Sequence, residues 1–323
     1  MEEQAAFGTN PGNLGMFSCV PPGLAEASPL VVALHGCQQG AKDFDLATGW
    51  SELGRKHGFA VLFPEQKCGN NPQNCFNWFV EKHISRDNGE LASIRVMIEK
   101  MLADYQLDRE RVFVTGLSAG GAMACALLAS YPQLFAAGTI IAGLPYGAAL
   151  GPLDAMKAMA FGSAHSSRDL GNLVRRASPG QKRWPKVSIW HGSLDGVVAP
   201  ANASALVQQW LDIHQVNEAG VLLDEVDGQL RMSWRDGSGT VVVEHYLFDG
   251  MAHGLPIDMK SRATPGTLPP FGLDVGISST LRIAKSWGLL RQPSETEVPA
   301  TEYQRETGFH ISDLWSRIAR ASK

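Results

Sequence analysis

Ser118 stands at the centre of Gly116-Leu117-Ser118-Ala119-Gly120, a G-x-S-x-G spacing that can make a serine hydroxyl nucleophilic. Residues 112–115 (Val-Phe-Val-Thr) have the β-branched and aromatic composition of a buried strand, and the apolar residues 122–128 read as a helix. A strand running straight into a helix forces a tight, strained turn at Ser118. Gly116 and Gly120 remove the Cβ atoms that would collide as the two elements pass. The turn lifts the hydroxyl above the sheet and leaves the Ala119 amide facing the place where an oxyanion would form. An ordinary glycine turn is the competing reading, since Gly, Ser and Ala are common in turns. The two readings separate on whether an orienting carboxylate and a base follow in order.

Both follow. Residues 187–191 form an apolar strand that runs into Gly192-Ser193-Leu194-Asp195-Gly196, so Asp195 lies just past a strand end in a glycine-bounded loop. A turn-capping aspartate is its plainer reading. Residues 241–248 form a long strand, and His253 follows in Asp249-Gly250-Met251-Ala252-His253-Gly254, where an imidazole can swing over the serine. Of the other histidines after Asp195, His214 falls in a helix, His245 alternates with Val243 and Leu247 as a packed sheet residue, and His310 lies in the tail. In the resulting chemistry Ser118 attacks an acyl carbonyl. His253 takes its proton and later gives it to the leaving alcohol, while Asp195 holds the imidazole tautomer. Nothing here requires a cofactor.

A second oxyanion donor is expected where residues 30–34, a continuous apolar strand, end in His35-Gly36-Cys37-Gln38. The Cys37 amide is the candidate, with His35 and Gln38 beside it on the substrate side. The alternative is a glycine turn carrying a structural histidine. Residues 59–63 make another strand, and the long irregular loop 65–79 brings Phe76, Trp78 and Phe79 together. Such a loop is expected to line a binding cleft, with Trp78 facing substrate and the phenylalanines free to pack inward as anchors.

The elements that must position these residues follow from periodicity. Residues 43–57 read as one helix ended by Gly58, and residues 90–105 as an amphipathic helix with no further role. Residues 138–142 add a strand, residues 143–185 a less regular partial cap, and residues 200–214 a helix. Residues 221–226 and 231–235 pair antiparallel, and residues 279–289 close the domain with a helix. The order Ser118, Asp195, His253, each beyond a strand, is that of α/β-hydrolases. The expected fold is therefore α/β, a mostly parallel central sheet flanked by helices with a small irregular cap. Residues 1–291 would form the catalytic domain. The polar residues 292–323, including a short amphipathic stretch at 312–321, would form a docked or flexible extension.

Composition excludes several other classes. With 44% hydrophobic and 19% charged residues among 323, the chain resembles an ordinary soluble globular protein. A net charge of −4 without a Lys/Arg cluster argues against nucleic acid as a partner, and no apolar run reaches membrane-spanning length. The spacing of His and Cys gives no metal motif. Among the five cysteines, Cys68 and Cys75 could be bridged to each other, or one of them to Cys37, and free thiols are equally open. Cys125 reads as a small buried hydrophobe.

Residues 34–37 (Leu-His-Gly-Cys), 64–66 (Pro-Glu-Gln), 75–79 (Cys-Phe-Asn-Trp-Phe), 116–121, 142–147 (Ala-Gly-Leu-Pro-Tyr-Gly) and 191–195 together resemble the poly(3-hydroxybutyrate) depolymerase family of esterases. The resemblance runs from about Phe7 to Leu290 and extends to the related bacterial feruloyl and acetylxylan esterases. It implies hydrolysis of esters in polyesters or decorated polysaccharides. An extracellular or periplasmic place is expected from the family, a cytoplasmic one if the chain is complete as written, since no signal peptide is visible. Without a visible binding module or Ser/Thr-rich linker, soluble esters and 3-hydroxybutyrate oligomers are favoured over insoluble polymer. Plant cell-wall esters are the alternative substrate. An inactive binding protein would have lost a member of the triad, and none is missing. The sequence carries no signal for oligomeric state.

Overall fold

Alternation between two apolar faces builds the middle of the sheet. The computed structural model describes residues 1–261 and 268–291. Its strands are β1 (Glu2–Glu3), β2 (Gly15–Cys19), β3 (Leu30–Leu34), β4 (Ala60–Glu65), β5 (Val112–Leu117), β6 (Ala137–Ile141), β7 (Lys186–Gly192), β8 (Leu222–Val226), β9 (Gln229–Arg235), β10 (Val241–Phe248), β11 (Leu255–Ile257) and β12 (Gly272–Asp274). Its helices are α1 (Ala41–Thr48), α2 (Trp50–His57), α3 (Glu81–Ile84), α4 (Gly89–Asp104), α5 (Ala119–Ser130), α6 (Pro152–Phe161), α7 (Ser167–Ala177), α8 (Ala201–His214) and α9 (Ser279–Ser286). Along β3, Leu30, Val32 and Leu34 enter one core while Val31 and Ala33 enter the other, as a strand covered on both faces must.

The large sheet has the order β1-β2-β4-β3-β5-β6-β7-β10-β9-β8. The strands from β4 to β10 in that order are parallel, and antiparallel pairs finish both edges. One face packs against α4, α5 and α8 through Ile94, Leu127 and Trp210. The other packs against α1, α2 and α9 through Phe44, Trp50 and Ile283. After β3 the chain moves outward to β4, then returns to place β5 on the other side of β3. This reversal opens a crevice between the carboxyl ends of β3 and β5, the place where open α/β sheets bind ligands. Over that end lies a third, smaller cluster of Trp78, Ala119, Ala122, Leu144, Ala149, Ala155, Ala158 and Val198.

Two expectations about elements are corrected. The helix expected over 43–57 is two helices, because Gly49 takes φ +74°, a left-handed conformation. The Asp45 carboxylate then accepts from the Ser51 N–H at 2.8 Å and starts the second helix. The irregular cap expected over 143–185 contains α6 and α7. Proline opens α6, and the Ser166 hydroxyl caps α7 by accepting from the Asp169 N–H at 3.2 Å. The extension expected over 292–323, with its helix at 312–321, lies outside the described residues.

Candidate active site

Ser118 occupies the turn from β5 into α5 with φ +56° and ψ −118°, a conformation that a non-glycine residue holds only under constraint. Its N–H donates to Ile141 O at 2.9 Å, and its carbonyl accepts from Ala122 N–H at 2.9 Å. The flanking glycines explain how the turn fits. A Cβ on Gly116 would overlap the Gly120 carbonyl, and a Cβ on Gly120 would overlap Leu34 O and His35 O while lying 2.7 Å from Leu34 C. Gly120 thus lets α5 press against the turn leaving β3. Ser118 is only 9% exposed, and Ala119 begins the helix with its amide free of intrahelical partners.

The β3 turn is held from several sides. His35 is buried, and both ring nitrogens are committed: Nδ1–H donates to Gly36 O at 2.7 Å and Nε2 accepts from Gln66 N–H at 3.0 Å. Burial pushes its pKa down to about 4, so the ring is neutral, as that bonding needs. His35 was expected on the substrate side; the structure corrects this, because a ring 1% exposed with both nitrogens used has nothing left for a ligand. Gln38 is exposed at φ +62° and joins the turn to the 65–79 loop through Gln73, side chain to side chain at 3.1 Å and N–H to carbonyl at 2.7 Å. Its buried neighbour Gln39, absent from the sequence expectations, accepts from Gly36 N–H at 2.9 Å. Among the described residues no protein acceptor takes the Cys37 N–H or the Ala119 N–H. The cysteine alternatives resolve to a Cys37–Cys75 disulfide, with Cys68 an exposed thiol and Cys125 buried.

On the far side of Ser118, the loops after β7 and β10 are stitched together. Ser193 N–H donates to Phe248 O at 2.9 Å, Leu194 N–H to Met251 O at 3.0 Å, and Gly250 N–H to Ser193 Oγ at 2.9 Å. That stitching brings His253 Nδ1 to 2.7 Å from Asp195 Oδ2. Asp195 Oδ1 accepts from Val197 N–H at 2.9 Å and Val198 N–H at 2.8 Å. Burial alone would raise the Asp195 carboxyl. Hydrogen bonds from His191 and His253, electrostatic attraction from His253 and the Val198 amide outweigh it and hold the group well below the usual carboxylate range.

Two buried residues that the sequence reading left without a role support the site. His191, in β7, donates from Nε2 to Val198 O at 2.8 Å and lies 3.3 Å from Asp195 Oδ2, bracing the aspartate loop from beneath. Glu90 was read as part of an amphipathic helix with no further role. It is instead wholly buried at the start of α4 and ties down the 65–79 loop. In that loop Phe76 packs inward beside His35 with ring centroids 4.8 Å apart. Trp78 is 6% exposed, edge-on to Phe79 and clustered with Ala119 and Val198, so it presents little free surface.

The sequence relationships agree with this fold and its loops. Residues 14–223 match the family described as esterase PHB depolymerase. The chain belongs to this family. It is 42% identical over 286 residues to poly(3-hydroxyalkanoate) depolymerase C of Paucimonas lemoignei, covering 88% of this chain and 69% of that protein. It is 31% identical to an acetylxylan esterase of Coprinopsis cinerea, covering 78% of this chain and 68% of that one. It is 30% identical to feruloyl esterase B of Neurospora crassa, covering 79% and 88%. An acetyl xylan esterase from Aspergillus awamori superposes with a TM-score of 0.75 at 22% identity, over 89% of this chain and 98% of that one. That likeness speaks to the α/β-hydrolase fold alone. As a PHB depolymerase-family member the chain is an esterase, and no helix among its described residues is long and apolar enough to cross a membrane.

Proposed function

We propose that this esterase works through Ser118, His253 and Asp195, with residues 1–291 as its catalytic domain. Ser118 Oγ attacks the ester carbonyl as His253 takes its proton. The tetrahedral oxyanion is held by the Ala119 and Cys37 amides, and His253 returns the proton to the leaving alcohol. Water then repeats the sequence on the acyl-enzyme. Each oxyanion donor contributes roughly a hundredfold or more in rate. The observation that carries this reading is the 2.7 Å bond from His253 Nδ1 to the buried Asp195, which leaves Nε2 as the nitrogen available to a hydroxyl.

The substrate we propose is an oligomer or chain end of a 3-hydroxyalkanoate polyester, with a soluble 3-hydroxybutyrate ester the simplest case. Two observations support an aliphatic acyl chain. Identity to the poly(3-hydroxyalkanoate) depolymerase exceeds that to the acetylxylan and feruloyl esterases by about a third, 42% against 31% and 30%. The rim is also apolar: Leu194 and Val197 flank Asp195 and are exposed, as are Leu153, Met156 and Phe161 on α6. The end of α6 is bonded to that loop through Ala199 N–H to Met159 O at 2.7 Å. The deciding experiment measures turnover of a 3-hydroxybutyrate trimer and of methyl ferulate, with Ser118→Ala as blank. The trimer is expected to be preferred, and Ser118→Ala to lose activity about a millionfold. A folded, active Ser118→Ala protein would overturn the triad, whereas preference for ferulate would overturn only the substrate.

A further inference from the structure

Glu90 is 0% exposed, and no step of the chemistry above uses it. Its carboxylate faces only donors. Oε1 accepts from Gln66 Nε2 at 2.7 Å and Asn77 Nδ2 at 2.6 Å, and Oε2 accepts from Asn77 N–H at 2.9 Å. His83 Nδ1 stands 3.5 Å from Oε1. A buried carboxylate is costly, and a helical surface does not need one, so a cradle of three donors calls for an explanation in what those donors hold.

They hold both sides of Cys37. One track runs through Gln66, whose side chain is fixed by Glu90 and whose backbone N–H donates to His35 Nε2 at 3.0 Å. That bond sets the His35 tautomer, and Nδ1–H then donates to Gly36 O at 2.7 Å. The Gly36 carbonyl and the Cys37 N–H belong to one planar peptide unit, so fixing the carbonyl fixes the direction of the N–H. The other track runs through Cys75, whose carbonyl accepts from Gln66 Nε2 at 3.1 Å and whose sulfur is bonded to Cys37. Asn77, two residues further on, is held by the same carboxylate.

We propose that Glu90 is a positioning residue for the oxyanion hole: it orients the Gly36–Cys37 peptide plane through Gln66 and His35 on one side and through the Cys37–Cys75 disulfide on the other. The proposal rests on the reading of the Cys37 amide as an oxyanion donor. It explains why the position holds a carboxylate. A glutamine there would turn one acceptor into a donor and set it against Asn77 or Gln66.

The test compares Glu90→Gln with the wild type for kcat and KM on a soluble short-chain ester, and for inhibition by an alkyl boronic acid, whose tetrahedral serine adduct places an oxygen in the oxyanion position. Deleting an oxyanion donor outright costs about 10²–10³-fold in kcat. Misdirecting one is expected to cost roughly 10- to 100-fold, with KM within about twofold and boronate affinity falling in parallel with kcat. Asn77→Ala, which removes the Nδ2 donor and leaves the backbone N–H and Glu90 in place, is expected to give the same split and serves if Glu90→Gln does not fold. Unchanged kcat and boronate affinity in a folded variant, even one with a lower melting temperature, would overturn the proposal and leave a merely structural role. Failure here alongside an inactive Ser118→Ala protein would leave the triad standing. Activity in Ser118→Ala would remove the reading on which both rest.

Discussion

A single methyl group at Gly192 should damage the site without touching a reacting atom. It ends β7, three residues before Asp195, and a Cβ there would overlap Met251 O and lie 2.7 Å from Met251 C and 2.8 Å from Ala252 O. Carbon atoms in good contact sit about 3.5–4.0 Å apart. The 251–252 backbone would therefore have to retreat by roughly 1 Å, carrying His253 away from Asp195. A misplacement of about 1 Å costs on the order of 10²-fold in rate. Overpacking of this kind costs about 1–3 kcal/mol, which lowers the melting temperature of a domain this size by several degrees, ~3–10 °C. The assay is kcat on a short-chain ester together with calorimetry, with Gly196→Ala as control. Gly196 lies in the same loop, a Cβ there meets nothing within 4 Å, and its φ is not positive, so the control should match the wild type within about 0.5 kcal/mol. If Gly192→Ala turned over like the control, the packing of these two loops would not be what sets the Asp195–His253 geometry.

Two further outcomes follow from the supporting shell. The Cys37–Cys75 disulfide closes a sequence separation of 38 residues. In a loop-entropy account its removal should cost about 4 kcal/mol, read as a lower denaturation midpoint in a Cys37→Ser, Cys75→Ser double variant. An unchanged midpoint would refute this account. Burial pushes Glu90 up to about 7, against opposing hydrogen bonds from Asn77 and Gln66. A folded-state pKa raised above its unfolded value gives stability that is full below the ordinary carboxylate range and is lost as pH rises through about 7. The Glu90 contribution should therefore fall between pH 5 and pH 8 by at most on the order of 3 kcal/mol, read as the difference between the wild type and Glu90→Gln. Glu90→Gln should remove that slope, as followed by melting temperature against pH, and a variant that kept it would refute the assignment.

The parts that could be read in the sequence were those whose physics is local. The run at 112–115, its glycines and the apolar helix behind it describe one continuous path, and a turn at Ser118 is the way that path can close. The places of Asp195 and His253 in the fold were legible because each follows a strand of clear composition. Locality also explains what was missed. Gly49 sits inside an unbroken helical pattern of Phe44, Trp50 and Leu53, and periodicity cannot register a glycine that takes a left-handed turn. The start of α7 was marked by Ser166 and Asp169, a capping signature that the alanine- and glycine-rich composition around it obscured. Glu90 announces nothing, and Gln66, Asn77 and His35, though visible in a motif or a turn, do not show in the sequence that they belong to one network. Their meaning lies in contacts across 24, 13 and 31 residues of sequence, which periodicity and motif spacing do not carry.

That division has a mechanical basis. The Ser118 turn is held by covalent geometry and by strand-to-helix packing, so its requirements are written into adjacent residues. The turn that carries Cys37 does not run straight into a helix; β3 ends, α5 packs against residues 34 and 35, and residues 35–40 follow an irregular path to α1. An oxyanion donor must nevertheless be fixed before the reaction, because an amide that reorients during the step gives back the electrostatic advantage of a dry site. The missing rigidity has to come from elsewhere in the chain. The disulfide to Cys75, the neutral His35 and the buried Glu90 are the groups placed to provide it. On this argument the sensitivity of kcat to a change at Glu90, a residue that meets no substrate atom, measures how much of the rate depends on holding the Cys37 amide still.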